Sequence, residues 1–241
     1  MEKLLISVFL FGTCWAAPQD LSGKVFVFPK ETDRAHVKLL TTKTNIESAT
    51  VCLRFLTDLT RSYGLFSLAT VAQSNGFLLF KPGDVETIEL AVSGTSIYFR
   101  SLSFPQNNWH NICATWSSNG IAQVWVDGKP SVKRYVDNVS LVGPPITILG
   151  QEQDSYGGDF DQKQSFIGMI SDVHMWNHVV QASDIKRYAA GKSFTPGNVF
   201  NWKALDFEIE GMILVEDETE YNDELHKKVV NNRSCVLPRM K

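Results

Sequence analysis

Fourteen residues from Gln151 to Gln164 hold four carboxylates (Glu152, Asp154, Asp159, Asp161) and four side-chain amides (Gln151, Gln153, Gln162, Gln164), folded over by Gly157-Gly158. Carboxylates this close repel one another unless a cation sits among them. Oxygen donors with little His or Cys nearby suit a hard ion, and Ca²⁺ takes roughly 6–8 oxygens in flexible geometry. The competing account is a solvated acidic loop. Apolar residues on both sides (Ile146, Ile148 and Leu149, then Phe166 and Ile167) read as strands that hold the loop in one shape. They favour a calcium loop carried on a β scaffold. The loop is not an EF-hand, because Tyr156 and Gly158 stand where that motif needs oxygen ligands.

The scaffold follows from the rest of the pattern. Short apolar or alternating runs recur at 25–28, 49–56, 63–71, 77–80, 87–92, 96–100, 112–116, 121–126, 146–149, 166–176 and 199–209. Turn signals such as Ser74-Asn75-Gly76, Ser118-Asn119-Gly120 and Asp127-Gly128 separate them. This spacing predicts an all-β chain folded as a two-sheet antiparallel sandwich. One helix is predicted over 182–190, with Ser183 as its cap, Asp184 in its first turn and Gly191 at its end.

Lys3, the apolar run from Leu4 to Phe11 and the small residues after it form a secretory signal over 1–16, which places the mature chain outside the cell. No later segment approaches the ~20 apolar residues of a membrane-spanning helix. Three cysteines remain after cleavage. Cys52 and Cys113 sit in apolar alternating stretches 61 residues apart and are the natural pair, whereas Cys235 lies in a polar stretch. From Glu216 onward six acidic residues precede a basic end, so 216–241 is expected to be a mobile extension appended to a domain over 17–215. Cys235 in that extension is expected to join subunits or cap with another thiol. Asn138 and Asn232 open N-x-S triplets, which permit a glycan. A net charge of -3 gives no broad footprint for nucleic acid.

The loop Gly150-Gln151-Glu152-Gln153-Asp154-Ser155-Tyr156-Gly157-Gly158 resembles the calcium loop of the short pentraxins. Further stretches are similar in the same order: 20–29, Cys113-Ala114-Thr115-Trp116-Ser117-Ser118, Trp125-Val126-Asp127-Gly128-Lys129-Pro130 and Asn201-Trp202-Lys203-Ala204-Leu205. The resemblance implies a lectin-like jelly roll with two Ca²⁺ ions per subunit, commonly in a homopentamer. It assigns the first ion to Asn75, Glu152, the Gln153 carbonyl and Asp154. The second shares Glu152 and Asp154 and adds Asp161 and Gln164. Ser74 stands where the family has an Asp ligand, and Asp161 replaces a longer Glu; both changes imply weaker calcium binding. Asp159 matches no ligand and is expected to be solvated. In the signature around Cys113 the family has His at the position of Asn111, so His110 should face the other way.

The resemblance also implies phosphoryl-bearing ligands, namely phosphocholine or phosphoethanolamine groups on microbial or cell-debris surfaces, with acidic polysaccharides still open. Phe80 matches the aromatic that packs on the amine end, although a core role explains it equally well. Ala91 aligns with a small polar pocket residue. Ser96 aligns with the glutamate that meets the ammonium, so that charge partner is missing. For complement recognition proteins, Asp127 matches one contact position, which a hairpin Asp-Gly turn explains equally, and Tyr188 falls one residue before another.

Other classes fare worse. A glycosidase needs two carboxylates flanking a bond, and Glu86 and Glu89 fall on opposite faces of a strand. His174 and His178 have zinc spacing only on a helix and read as surface histidines at a strand end. There is no nucleophile elbow, phosphate loop or Cys-His pair, so an enzyme is not expected. The remaining rival is an adhesive module in which calcium only stiffens the loop.

Overall fold

The computed structural model describes residues 17–83, 86–136 and 140–218. The signal segment, Asn138, Asn232, and Cys235 with the extension beyond 218 lie outside the described residues. In chain order the strands are β1 (Lys24–Phe28), β2 (His36–Leu39), β3 (Asn45–Ile46), β4 (Ala49–Leu56), β5 (Tyr63–Thr70) and β6 (Gln73–Lys81). Next come β7 (Thr87–Val92), β8 (Thr95–Arg100), β9 (His110–Trp116), β10 (Ile121–Val126), β11 (Lys129–Pro130) and β12 (Arg134–Tyr135). The last six are β13 (Leu141–Val142), β14 (Ile146–Leu149), β15 (Gly168–Trp176), β16 (Phe200–Asn201), β17 (Phe207–Glu210) and β18 (Leu214–Asp217).

Sixteen of them build two antiparallel sheets, and β3 and β13 pair separately as a two-stranded ribbon. The nine-stranded sheet runs β11-β10-β9-β4-β15-β1-β18, with β12 beside β10 and β16 beside β15. The seven-stranded sheet runs β17-β2-β14-β5-β6-β7-β8. This is the expected sandwich. Alternation along the strands decides what meets between the sheets. On β6, Phe77 and Leu79 join the core; on β7, Ile88, Leu90 and Val92 do. Leu78, Phe80, Glu89 and Ala91 therefore point to the outer face of the seven-stranded sheet.

The outer face of the nine-stranded sheet is closed over. Cys52 and Cys113 lie opposite each other on β4 and β9 and form a disulfide. Above it packs α1 (Ala182–Ala189), which buries Ile185 and Tyr188 against Trp125 and Trp176. The helix starts differently from expectation. Gln181 is its N-cap, no side chain caps it, and Ser183 lies within the first turn. Tyr188 is buried, and its hydroxyl donates to the Asp172 carbonyl at 2.9 Å, so it is not available as a surface contact.

Three other expectations change. The run 199–209 is not one strand: Asn201 Oδ1 accepts from the Lys203 amide at 3.1 Å and caps a 3₁₀ turn at Trp202–Ala204 between β16 and β17. The sandwich continues past 215, because β18 pairs with β1 up to Lys24↔Asp217 and Glu218 reaches Arg54 at 2.8 Å. His174 is no surface histidine. It is 2% exposed, Nδ1 accepts from the Gly197 amide, and burial pushes its pKa down to about 4.

Candidate metal centre

The acidic loop lies flat on the outer face of the seven-stranded sheet, and small residues permit it. Gly150 has φ +84, a turn that L side chains rarely adopt, and a Cβ there would meet the Phe28 ring at 2.3 Å. A Cβ on Gly64 of β5 would meet the Gln151 backbone at 2.9 Å, so the chain rests directly on that strand.

Two amides of the loop act as its anchors. Gln151 Nε2 donates to the carbonyls of Thr32 and Ala35 at 2.8 and 3.1 Å. Gln153 Nε2 donates to the Ser67 and Ile146 carbonyls at 2.9 and 3.1 Å, and its Oε1 accepts from the Gly157 amide at 3.0 Å. The Gln153 side chain is thus fully engaged, which leaves its backbone carbonyl as the group it could offer an ion. At the far end Asp161 Oδ1 accepts from the Lys163 amide at 2.9 Å and caps the 3₁₀ turn Gln162–Gln164. Arg61 clamps that turn through the carbonyls of Lys163 and Ser165 at 3.0 and 2.6 Å. Asp159 is exposed, in line with a solvated residue.

Two of the remaining oxygens are buried without a partner. Asn75, in β6, is fixed by the turn between β7 and β8, where the Gly94 amide donates to its carbonyl at 2.9 Å. Its side-chain amide hydrogen-bonds Glu152, while its buried Oδ1 has no partner. Gln164 Oε1 is likewise buried and unpartnered. Glu152 is 6% exposed. Burial first, then the charge of Asp154, pushes its pKa up to about 7; Glu89 and Asp161 add to the rise and the Asn75 bond opposes it. A carboxylate so destabilised, bonded to an amide whose own oxygen is orphaned, fits a hard divalent cation. Asp154 and Asp161 are exposed next to it. Among the described residues no three His, Cys, Asp or Glu side chains form a ready-made cluster.

Register brings the three expected ligand positions to the same face. Leu78, Ala91 and Ser96 form one row across β6, β7 and β8; Phe80, Glu89 and Tyr98 form the next. Phe80 is partly exposed and points outward, so the outer face, not the core, holds it. Ala91 is fully buried and contributes floor rather than contact. Ser96 Oγ donates to Glu89 Oε1 at 2.6 Å. Glu89 is the residue that sequence reasoning passed over: its half-exposed carboxylate is held at Ser96, the position where the alignment lost one. The signal for it was the alternation that set Glu89 apart from Glu86.

His110 and Asp127 form a structural pair elsewhere. Nδ1 of the buried His110 lies 3.0 Å from Asp127 Oδ2, and its Nε2 lies 2.9 Å from the Pro105 carbonyl. Both ring nitrogens face acceptors, which favours the doubly protonated ring. Burial opposes that charge, but these hydrogen bonds outweigh it and raise the His110 pKa. Asp127 also accepts from the Asn111 amide at 2.8 Å, so the hairpin Asp-Gly turn explains this residue.

A two-sheet lectin-like sandwich with an oxygen-rich loop on one outer face defines the class. The model for the Pentaxin family matches residues 24–217. The chain is 41% identical over 221 residues to serum amyloid P-component of Cavia porcellus, covering 90% of this chain and 98% of that protein. It is also 41% identical over 224 residues to C-reactive protein of Homo sapiens, covering 90% and 99%. The native heptameric SAP-like pentraxin of Limulus polyphemus superposes with a TM-score of 0.74 at 24% identity, over 82% of this chain and 96% of that one, which speaks to the fold. The chain belongs to the pentraxin family. Its relatives are recognition proteins, and this chain is not an enzyme.

Proposed function

We propose that this protein is a secreted, calcium-dependent pattern-recognition protein of innate immunity that binds phosphoryl-bearing ligands on microbial or cell-debris surfaces. The observation that carries the reading is the buried carboxylate of Glu152, crowded by Asp154 and Asp161 and bonded to Asn75, whose own buried Oδ1 has no partner; Gln164 Oε1, on the 3₁₀ turn that Asp161 caps, is likewise buried and unpartnered. Asn75, Glu152, the Gln153 carbonyl and Asp154 would hold one ion; Glu152, Asp154, Asp161 and Gln164 would hold the other. Two Ca²⁺ ions there supply the positive charge by which an acidic protein accepts phosphate oxygens. The disulfide supports an oxidising, extracellular location.

The Phe80–Glu89–Tyr98 row serves the other end of the ligand. Two aromatic side chains flank a carboxylate, the surface chemistry that attracts an ammonium group. Glu89 therefore restores the charge partner that Ser96 lacks, and phosphocholine and phosphoethanolamine are favoured over acidic sugars.

The test is capture on phosphocholine- and phosphoethanolamine-coated surfaces in calcium and in chelator. Binding is expected in calcium alone. Glu152→Gln should reduce it at least ~100-fold, about 3 kcal/mol, because both ions share that carboxylate. Binding that survives the substitution or the chelator would overturn the reading. A calcium-induced rise in melting temperature with no ligand captured would favour the adhesive module instead.

A further inference from the structure

A cavity of about 350 Å³ opens at one end of the sandwich, between the two sheets, and shares no residue with the metal centre or with the Phe80–Glu89–Tyr98 row. Phe55 of β4 and His110 of β9, partners in register, supply one wall. Tyr63 of β5 and Lys81 of β6, also partners in register, supply the other. Leu59 and Phe104, each from a connection and each packed on the core, complete the lining used here. Four of these side chains are rings in one contact series. Phe55 lies 6.4 Å from Tyr63, 6.1 Å from Phe104 and 5.8 Å from His110, and Phe104 lies 5.8 Å from His110.

Few polar groups interrupt this wall. Tyr63 is 2% exposed, and among the described residues its hydroxyl has no hydrogen-bond partner. Burial raises its pKa, so it stays a phenol with a proton to donate. Lys81 is buried as well, and its Nζ donates to the carbonyls of Pro82 and Gly83 at 2.9 and 2.6 Å. Those bonds fix a positive charge in the wall beside Tyr63. Asp127 offsets the charge of His110 from outside the cavity, and Glu86, which also lines it, is exposed and screened by solvent. Lys81 therefore sets the sign. A hollow of this size, walled by rings and carrying a few placed polar groups, has the chemistry of a small-molecule site.

We propose that the cavity binds a small aromatic carboxylate, its ring among Phe55, Phe104 and His110 and its carboxylate accepting from the Tyr63 hydroxyl beside Lys81. Walls of this kind offer an aromatic ligand edge-to-face contacts. An aromatic ammonium would also suit the rings, but it would meet the Lys81 charge and leave the Tyr63 proton without an acceptor. A straight-chain acid would satisfy Tyr63 and make little use of the rings.

Calorimetric titration of the full secreted chain with 3-phenylpropionate tests this, in chelator so that no calcium ion can take the carboxylate. Under that condition, failure of the phosphoryl reading leaves the result untouched. Saturable binding is expected, about tenfold tighter than for octanoate or 3-phenylpropylamine. Tyr63→Phe keeps the ring contacts with Phe55 and Phe166 and removes only the hydroxyl. It should weaken 3-phenylpropionate about tenfold, the loss of one hydrogen bond to a charged acceptor, with no fall in melting temperature. Lys81→Met keeps most of the buried stem and should weaken the acid more than it weakens the amine. No binding of the acid to the wild type, octanoate or the amine bound as tightly, or Tyr63→Phe at wild-type affinity would overturn the proposal.

Discussion

The two outer faces of the sandwich treat buried charge in opposite ways. On the nine-stranded sheet Asp172 and Glu218 share Arg54, at 3.3 and 2.8 Å. Arg54 also lies 4.8 Å from the Trp109 ring centre. On the seven-stranded sheet Glu152, Asp154, Asp161 and Glu89 face one another, and among the described residues none has a basic partner. A face whose charges are matched from within holds the fold together. A face that leaves them unmatched is arranged for something from outside. The difference lies in supply of cations, since each face buries carboxylate.

That contrast can be broken first at its strongest covalent point. Replacing Cys52 and Cys113 by Ala opens a 61-residue loop and should cost about 4 kcal/mol in urea unfolding, while calcium binding by the folded fraction stays unchanged. Loss of calcium binding without loss of stability would mean the two faces are not separable. Arg54→Met should cost about 2 kcal/mol, because it strands Asp172 and Glu218 in a partly buried site. Burial already raises the Asp172 pKa against the pull of Arg54, and removing Arg54 raises it further, so the stability this group contributes as pH falls should be larger in the variant than in the wild type.

Glu89→Gln acts on the other face. It should lower the preference for phosphocholine over inorganic phosphate about tenfold, or ~1.4 kcal/mol, with calcium still required. An unchanged preference would remove Glu89 from the site.

The smallest effect concerns His110. Its folded pKa is raised, so its contribution is complete below the unfolded value near 6.5 and is lost as pH rises through the folded pKa. Asp127 has a lowered pKa, and its share is lost as pH falls through that value. Between those limits the pair adds about 1 kcal/mol or less, since Asp127 is partly exposed. Chemical denaturation across this range should show a shallow alkaline decline that His110→Gln abolishes.

The loop could be read in the sequence because its chemistry is local: acids, amides and glycines within one turn. The strands at 49–56, 87–92, 121–126 and 146–149 were legible for the same reason, each being a short alternating run with a turn beside it. What escaped depends on distant partners. Glu216 and Asp217 read as the start of an acidic tail, and only the pairing of Leu214–Asp217 with β1 makes them part of a strand. His36–Leu39 is four residues long and gains its order from β14 and β17. His174 looks like a polar strand end until Trp176, Tyr188 and Phe194 close around it. The closeness of Glu89 and Ser96 is a matter of register across β7 and β8, which no spacing along the chain reveals.

One feature of the loop bears on how the protein would work at a surface. It rests on β5, in the middle of its sheet, with Asn75 supplied from β6, so the whole centre faces outward and stays clear of both edges. Several copies held side by side would then present their centres in one plane and one direction. For such an array, a second contact forms at an effective concentration set by geometry, on the order of millimolar, and avidity can exceed single-site affinity ~100- to 10,000-fold. Were each site weak, as Ser74 and Asp161 imply, the protein would pass over a lone head group and grip a crowded surface, making ligand density the quantity it measures.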